Sequence, residues 1–231
     1  MTRERQVADG FSGLSVQRSV PVREQVALRL REAITEQRFR PGQLLIEREL
    51  CEATGASRAS VREALRRLET EGLVVSVPGR GTHVTRLGPE EAMQLYEVRA
   101  TLEGMAGRLF AERANEVQIE ALDAAVRRIE QVVGKPPSIL RAKAAFYEAL
   151  FEGAGNLEMC RLLEMIHRRV TLLRGLSLSV PGRPAQSVRE MHAILAAARL
   201  RDPEATAQRC IEHVYAAAEA ALIALGSGDN A

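Results

Sequence analysis

Three arginines stand four residues apart in the stretch SRASVREALRRLETEGL: Arg58, Arg62 and Arg66. On a helix that spacing puts them on one side, with Val61, Leu65 and Leu68 on another. A guanidinium is always charged, and its planar fork of donors matches a phosphate or the edge of a guanine. The chemistry on offer is binding of a polyanion. Ser57, Ala59 and Ser60 add small groups at the start of the helix, where backbone N–H groups favour anions. Arg48 lies one short element upstream, within reach of a nucleic-acid backbone. Arg80 sits between Gly79 and Gly81 in PGRG, a turn suited to a hairpin tip. The plainer alternative is a solvated face whose arginines pair with Glu63 and Glu69.

Catalytic constellations are missing from the 231 residues. There is no GxSxG, HExxH, P-loop or CxxC pair, and most acids fall on amphipathic faces, so an enzyme is not expected. Cys51, Cys160 and Cys210 are odd in number and far apart, which implies no disulfide framework and fits a reducing cytoplasm. No run reaches signal-peptide or membrane-spanning length. Of the 32 basic residues 30 are Arg. Residues 1–86 carry 15 basic and 11 acidic side chains, and residues 87–231 carry 17 and 19. A basic front half beside a mildly acidic remainder hints at a polyanion-binding module joined to something else.

The elements that must position these residues are mainly α. Val22, Val26, Leu30 and Ile34, with Leu28 and Ala33, predict a first helix. Pro41 and Gly42 break it. IERELCEATG reads as a short helix with Leu50 and Ala53 inward and Gly55 as its stop. Ser57 is placed to cap the next helix, which runs to about Glu71. LVVSV and THVTRL flank PGRG as a β-hairpin. Helix, helix, turn, helix, hairpin is a winged helix-turn-helix.

Beyond Pro89 the breaks predict six helices, at about 90–113, 115–133, 138–152, 156–178, 184–200 and 203–225, packed as an antiparallel bundle. The expected organisation is an arm over residues 1–20, the winged domain over 21–86, a linker at 87–89, the bundle over 90–225 and a disordered tail over 226–231. Arg3, Arg5 and Arg18 of the arm have, as a lesser reading, a helper role on DNA.

PGQLLIERELCEATGASRASVREALRRLETEGLVVSVPGRGTHV resembles the DNA-binding domain of the GntR family of bacterial transcription regulators. The family pattern is PGxxLxExxL, then GxSRxxVREALxxLxxxGL, then a glycine-containing wing. Where the family often has Thr-Pro, Ala59 and Ser60 stand here. The resemblance implies Arg48, Ser57, Arg58, Ser60 and Arg62 as DNA contacts, with Gly79 and Arg80 at the wing.

The second half is similar to the helical ligand-binding (FCD-type) domain of the FadR subfamily, through LYEVRATLEGMAGRLFAERA, FYEALFEGAGN and EMHAILAAARLRDPEATAQRCIEHV. Six helices fit its VanR-like branch. Many such domains hold a divalent metal through an Asp, a His four residues on, and one His from each of the last two helices. Here Lys143, Tyr147 and Met191 occupy the first three places and only His213 remains.

A cation at position 143 repels a metal, and His192 is rotated by about 100° from the place of Met191. No metal is therefore expected, unless His192 pairs with His213 to restore a site. Arg99, Lys143, Tyr147, Met191 and His213 instead become candidates for holding a small carboxylate directly. The alternative is that Lys143 pairs with Glu103 and Tyr147 is ordinary core. His167 reads as a surface residue and Asn156 as a helix boundary.

Together these readings predict a cytoplasmic, homodimeric transcription regulator on palindromic double-stranded operator DNA. It is more naturally a repressor released by a carboxylate metabolite. An activator and a metal-dependent version are the alternatives.

Overall fold

The computed structural model of the chain describes residues 20–228, apart from the side chains of residues 136, 137, 227 and 228. Arg3, Arg5 and Arg18 of the expected arm, and residues 229–231 of the expected tail, lie outside the described residues. What is described is mainly α: nine helices and one small antiparallel sheet.

Helix α1 (Val22–Thr35) buries Val26, Ala27, Leu30, Ala33 and Ile34, while Val22 and Leu28 face outward although the four-residue rhythm includes Val22. Helix α2 (Glu47–Thr54) ends on Gly55 in the left-handed conformation, φ 66°. Leu50 is buried as expected, but Ala53 is exposed, because this short helix rests on its neighbours through Leu50 and Cys51. Helix α3 (Arg58–Thr70) follows the tight turn and buries Val61, Ala64, Leu65 and Leu68. Strands β2 (Val74–Val77) and β3 (Gly81–Val84) form the hairpin.

A third strand, β1 (Leu44–Leu45), pairs with β3 in the register Leu44 to His83 and Leu45 to Thr82, giving the order β1-β3-β2. From the sequence, Pro41 and Gly42 mark this segment only as a break after the first helix. Two residues are too few to show a period of two, and what holds them is pairing with a strand about forty residues away.

The second part comprises α4 (Pro89–Arg113), α5 (Glu116–Gln131), α6 (Pro136–Ala154), α7 (Leu157–Ser179), α8 (Arg183–Arg199) and α9 (Pro203–Gly228). Their starts carry local chemistry. Pro89 opens α4, Asn115 and Gln118 form a reciprocal capping box on α5, and the Asn156 side chain accepts from the Met159 N–H at 3.1 Å. The last helix runs through Gly228, past the expected end at 225.

Helix α4 runs through the middle and packs on α6, α7, α8 and α9. It approaches α9 most closely at Gly107, where a Cβ would lie 2.7 Å from Cys210 Sγ and 3.1 Å from the Thr206 carbonyl. No described helix is long and apolar enough to cross a membrane.

The core divides into two clusters. One, between the bundle helices, contains Phe110, Leu122, Ile129, Phe146, Leu150 and Met191. The other is shared by both parts of the chain. It joins Val26, Leu30, Leu68 and Leu73 to Tyr96, Val170, Leu173 and Ala218. Leu87, within the expected linker, belongs to it and is 3% exposed.

Polar contacts cross at the same place. Arg141 pairs with Glu36 at 2.6 Å, Glu71 lies 3.9 Å from Arg168, and the Gln37 side chain fills the space over Gly175. The winged part is thus seated on α6 and α7 through apolar and charged contacts.

Candidate functional site

Two regions gather the residues singled out above. The first is the outer face of α3 with the wing. Ser57 caps the helix: its Oγ accepts from the Ser60 N–H at 3.2 Å and lies 3.1 Å from the Ser60 hydroxyl. Arg58, Arg62 and Arg66 are exposed on the side away from Val61, Leu65 and Leu68.

Their pairings differ. Arg62 Nε donates to both oxygens of Glu47, at 3.0 and 2.9 Å, which clasps α3 to α2. Arg66 pairs with Glu63 at 2.9 Å, and Arg48 lies 3.9 Å from Glu52. Arg58 and Arg80 have no side-chain partner among the described residues.

Glu69 takes no arginine. It accepts the Ser76 N–H at 2.9 Å and so ties α3 to the wing. At the tip Gly79 and Gly81 have φ of 74° and 87°, the left-handed region that a side chain resists. The His83 ring nitrogens lie 3.2 Å from the Gly42 carbonyl and 3.1 Å from that of Arg80, bracing the wing against the β1 turn.

The second region is a buried chain of polar side chains inside the bundle. Arg99 and Glu103 stand at i, i+4 on α4, and Lys143 and Tyr147 at i, i+4 on α6. Helix α7 supplies His167 and Arg174, α8 supplies Arg183, Ser187 and Glu190, and α9 supplies His213.

Arg99 donates to Glu103 at 2.6 Å and to the Tyr147 hydroxyl at 2.6 Å. Tyr147 in turn donates to His213 Nε2 at 3.0 Å, and His213 Nδ1 donates to Glu190 at 2.5 Å. Arg183 closes the chain on Glu190 at 2.9 Å. On the other side His167 Nε2 donates to Glu103 at 2.6 Å while its Nδ1 accepts from Arg174 at 3.2 Å. Each donor meets an acceptor only if both imidazoles are neutral, with the proton on Nε2 in His167 and on Nδ1 in His213. Lys143 donates to the Ser187 hydroxyl at 2.6 Å and has no carboxylate partner.

The electrostatics follow from this geometry. Burial opposes ionisation of Glu103, but Arg99 and His167 hold its pKa at about 2. Burial likewise opposes the charge on Arg99, and Glu103 more than restores it. Burial pushes Tyr147 up to about 12 and His167 down to about 4. Burial, reinforced by Lys143 and the arginines, drives His213 well below its ordinary value. Burial also drives Lys143 well below its ordinary value, with Arg174, Arg183 and Arg99 adding to the effect.

A consequence concerns acid stability. The folded protein binds fewer protons at His167 and His213 than the unfolded chain does below the ordinary imidazole value of 6.5. Stability is therefore lost as pH falls from 6.5 towards 4. From His167 alone the loss between pH 7 and pH 5 is about 2 kcal/mol. Urea unfolding at the two pH values measures it. Equal stability at both would show that His167 is not held neutral.

Arg99, Lys143, Tyr147 and His213 thus come together, whereas Met191 does not join them. Met191 is buried in the apolar cluster between the bundle helices, with no polar contact to the polar chain. Lys143 does not pair with Glu103, whose partners are Arg99 and His167. His192 lies outside, 44% exposed and 3.7 Å from Glu130, so it does not meet His213.

His167 corrects the expectation of a surface residue. Its side chain is 13% exposed, and its ring stands edge-on to Tyr147 at 4.5 Å and to Phe151 at 5.2 Å. The flanking Arg168 and Arg169 gave the segment a solvated look, yet His167 shares the inward face with Val170 and Arg174. Arg174, Arg183, Ser187, Glu190 and Tyr96 were missed as site residues. For Arg174 a signal existed: it is the lone charge in the apolar run VTLLRGLSL.

The donor set does not fit the divalent metal that the resemblance implies. A lysine bonded to Ser187 stands at position 143, where the resemblance requires a carboxylate, and both nitrogens of His213 are already engaged. Among the described residues no three His, Cys, Asp or Glu side chains are grouped to hold an ion.

Comparison with known proteins places both regions. Residues 22–84 match the model of the gntR family of bacterial regulatory proteins, and residues 94–216 match the FCD domain. The HTH-type transcriptional regulator YdhC of Bacillus subtilis is 27% identical over 187 residues, covering 80% of this chain and 84% of that protein. A protein of Paenarthrobacter nicotinovorans named a probable D-xylose utilization operon transcriptional repressor is 27% identical over 201 residues, covering 86% and 88%. The solved structure of Escherichia coli McbR/YncC shares the fold with a TM-score of 0.76 at 23% identity, covering 85% of this chain and 95% of that one. The chain belongs to the GntR family, a winged helix-turn-helix followed by an FCD domain, and is a transcription regulator rather than an enzyme.

Proposed function

We propose that this regulator is a cytoplasmic repressor, released from its operator when a small carboxylate enters the buried polar chain. On DNA, α3 lies in the major groove with Arg58 and Arg62 towards base edges and Arg48, Ser57 and Ser60 towards phosphates, while Gly79 and Arg80 bring the wing to the adjacent backbone. Two copies related by a two-fold axis read a palindromic site. In the bundle Arg99, Lys143, Tyr147 and His213 surround the effector, and no metal takes part. The six-helix FCD domain fits a VanR-like member of the FadR subfamily.

The observation that carries the effector reading is Lys143. Burial and the neighbouring arginines push its amine towards the neutral form, its one hydrogen-bond partner is a serine hydroxyl, and a bound anion is what would restore its charge. Retaining such a group makes sense where a ligand supplies the anion.

The link to DNA runs through α7. One face carries His167 and Arg174 against the buried chain, and the same helix carries Arg168 beside Glu71 and Gly175 under Gln37. A ligand that moves Arg174 moves the seat of the winged part, which is the differential contact an allosteric effector needs.

The test pairs two measurements on the full chain. A panel of organic acids, sugar acids and amino acids is screened for a rise in melting temperature. Each hit is then titrated against an operator selected by the protein from random duplex DNA. At least one acid is expected to raise the melting temperature by several degrees and to weaken operator binding, while its amide does neither. A panel in which no acid shifts the melting temperature rejects the carboxylate reading.

A further inference from the structure

The buried chain holds more basic groups than carboxylates to meet them. Four basic side chains are buried there: Arg99, Lys143, Arg174 and Arg183. Two carboxylates face them, and each is committed to an arginine: Glu103 to Arg99 at 2.6 Å and Glu190 to Arg183 at 2.9 Å. Lys143 reaches a hydroxyl and Arg174 reaches a neutral imidazole and the face of Tyr147, 4.9 Å from its ring centre. Two basic groups are thus left without a counter-ion.

Unused donors point the same way. Nε and Nη1 of Arg183 and the hydroxyl of Tyr96 are buried without a hydrogen-bond partner. Such orphans are rare in folded proteins, and each is costly unless something binds it.

We propose that this cluster is built for a dianion, a compact molecule with two acidic groups, one taken by Lys143 and the other by Arg174 with the free edge of Arg183. The proposal rests on the effector reading above and adds the charge of the ligand. Two negative groups neutralise two cations, and the Arg183 and Tyr96 donors supply the hydrogen bonds that orient them.

The space between these side chains amounts to only about 10 Å³, roughly one water. Binding therefore has to part them. Tyr147 and Arg174 also form a wall of an open groove of about 720 Å³, whose far side is Arg31, Arg67 and Leu73 of the winged part. Entry from that groove would have to move Tyr147 and Arg174, the two side chains that line both spaces. The dianion then displaces Arg174 from the side on which α7 meets the DNA-binding part.

The experiment uses the full chain and matched probes. Malonate, succinate and glutarate are compared by calorimetry and melting temperature with propionate, butyrate and valerate, and inorganic phosphate is run as a further arm. At least one dicarboxylate is expected to bind tenfold or more tighter than the monocarboxylate nearest to it in length. Lys143→Met should remove that preference while melting no lower than the parent when empty, because it deletes a buried amine with no carboxylate partner. Arg174→Met should weaken the dicarboxylate in the same way.

Equal affinity for mono- and dicarboxylates would overturn the dianion and leave the carboxylate effector standing. Binding of inorganic phosphate with none of the acids would support the dianion and reject the carboxylate reading. Binding of no anion at all would reject both.

Discussion

Glu103→Gln is expected to lower the free energy of unfolding by about 3–5 kcal/mol, on the order of 10 °C in melting temperature for a chain of this size. The substitution keeps the side-chain volume and can still accept a hydrogen bond. What it removes is the charge. Glu103 is 1% exposed and sits 2.6 Å from Arg99 Nε and 2.6 Å from His167 Nε2. Without its carboxylate, the buried guanidiniums of Arg99, Arg174 and Arg183 face Glu190 alone. An ion pair taken out of water gains little over an apolar pair, but stripping one partner leaves the other charge uncompensated. The double variant Arg99→Met/Glu103→Leu should accordingly recover most of the loss, since it deletes both charges. Urea unfolding of the single and double variants gives the comparison. A single-variant loss under about 1 kcal/mol would show that Arg99 and Glu103 are not paired in solution.

Much of the site was legible in the sequence, and the reason differs by region. The DNA-facing half is written locally. Ser57 caps the helix that follows it, Gly55 stops the one before, and Val61, Leu65 and Leu68 fix which way the arginines face. Each of those signals acts within one or two helical turns. Strand β1 escaped because Leu44 and Leu45 are strand only by virtue of β3.

The buried chain is non-local. Resemblance points to Lys143, Tyr147, Arg99 and His213, and their approach depends on how three helices, α4, α6 and α9, cross. Arg183 shows why charge alone misleads. It opens α8, where the helix dipole disfavours a cation, and it follows Gly182 in a surface-like turn sequence. It is nonetheless buried, because Glu190, two turns on, returns to meet it.

The two halves also pose opposite problems for their arginines. Those of the buried chain, Arg99, Arg174 and Arg183, are buried among one another and short of anions. Those of α3 are exposed, and most are engaged by acids of their own surface. That engagement ranks the DNA contacts.

With α3 in the major groove, Arg58→Ala should weaken operator binding by about 1–3 kcal/mol, roughly 5- to 150-fold. Arg62→Ala should cost less by up to about 1 kcal/mol, the worth of an exposed ion pair. Arg58 has no side-chain partner to give up before it reaches DNA. Arg62 must first release or share Glu47, which it holds through two bonds at 3.0 and 2.9 Å. Glu47→Gln should therefore tighten binding, by freeing Arg62 and removing a negative charge beside the phosphates.

Fluorescence anisotropy across a salt series separates the roles. If Arg58 reads a base, its loss relaxes preference at one position of the site. If it holds a phosphate, every sequence weakens alike and the slope of log affinity against log salt falls by about 0.9. Unchanged affinity together with an unchanged slope would remove α3 from the groove and leave its arginine stripe as a solvated surface.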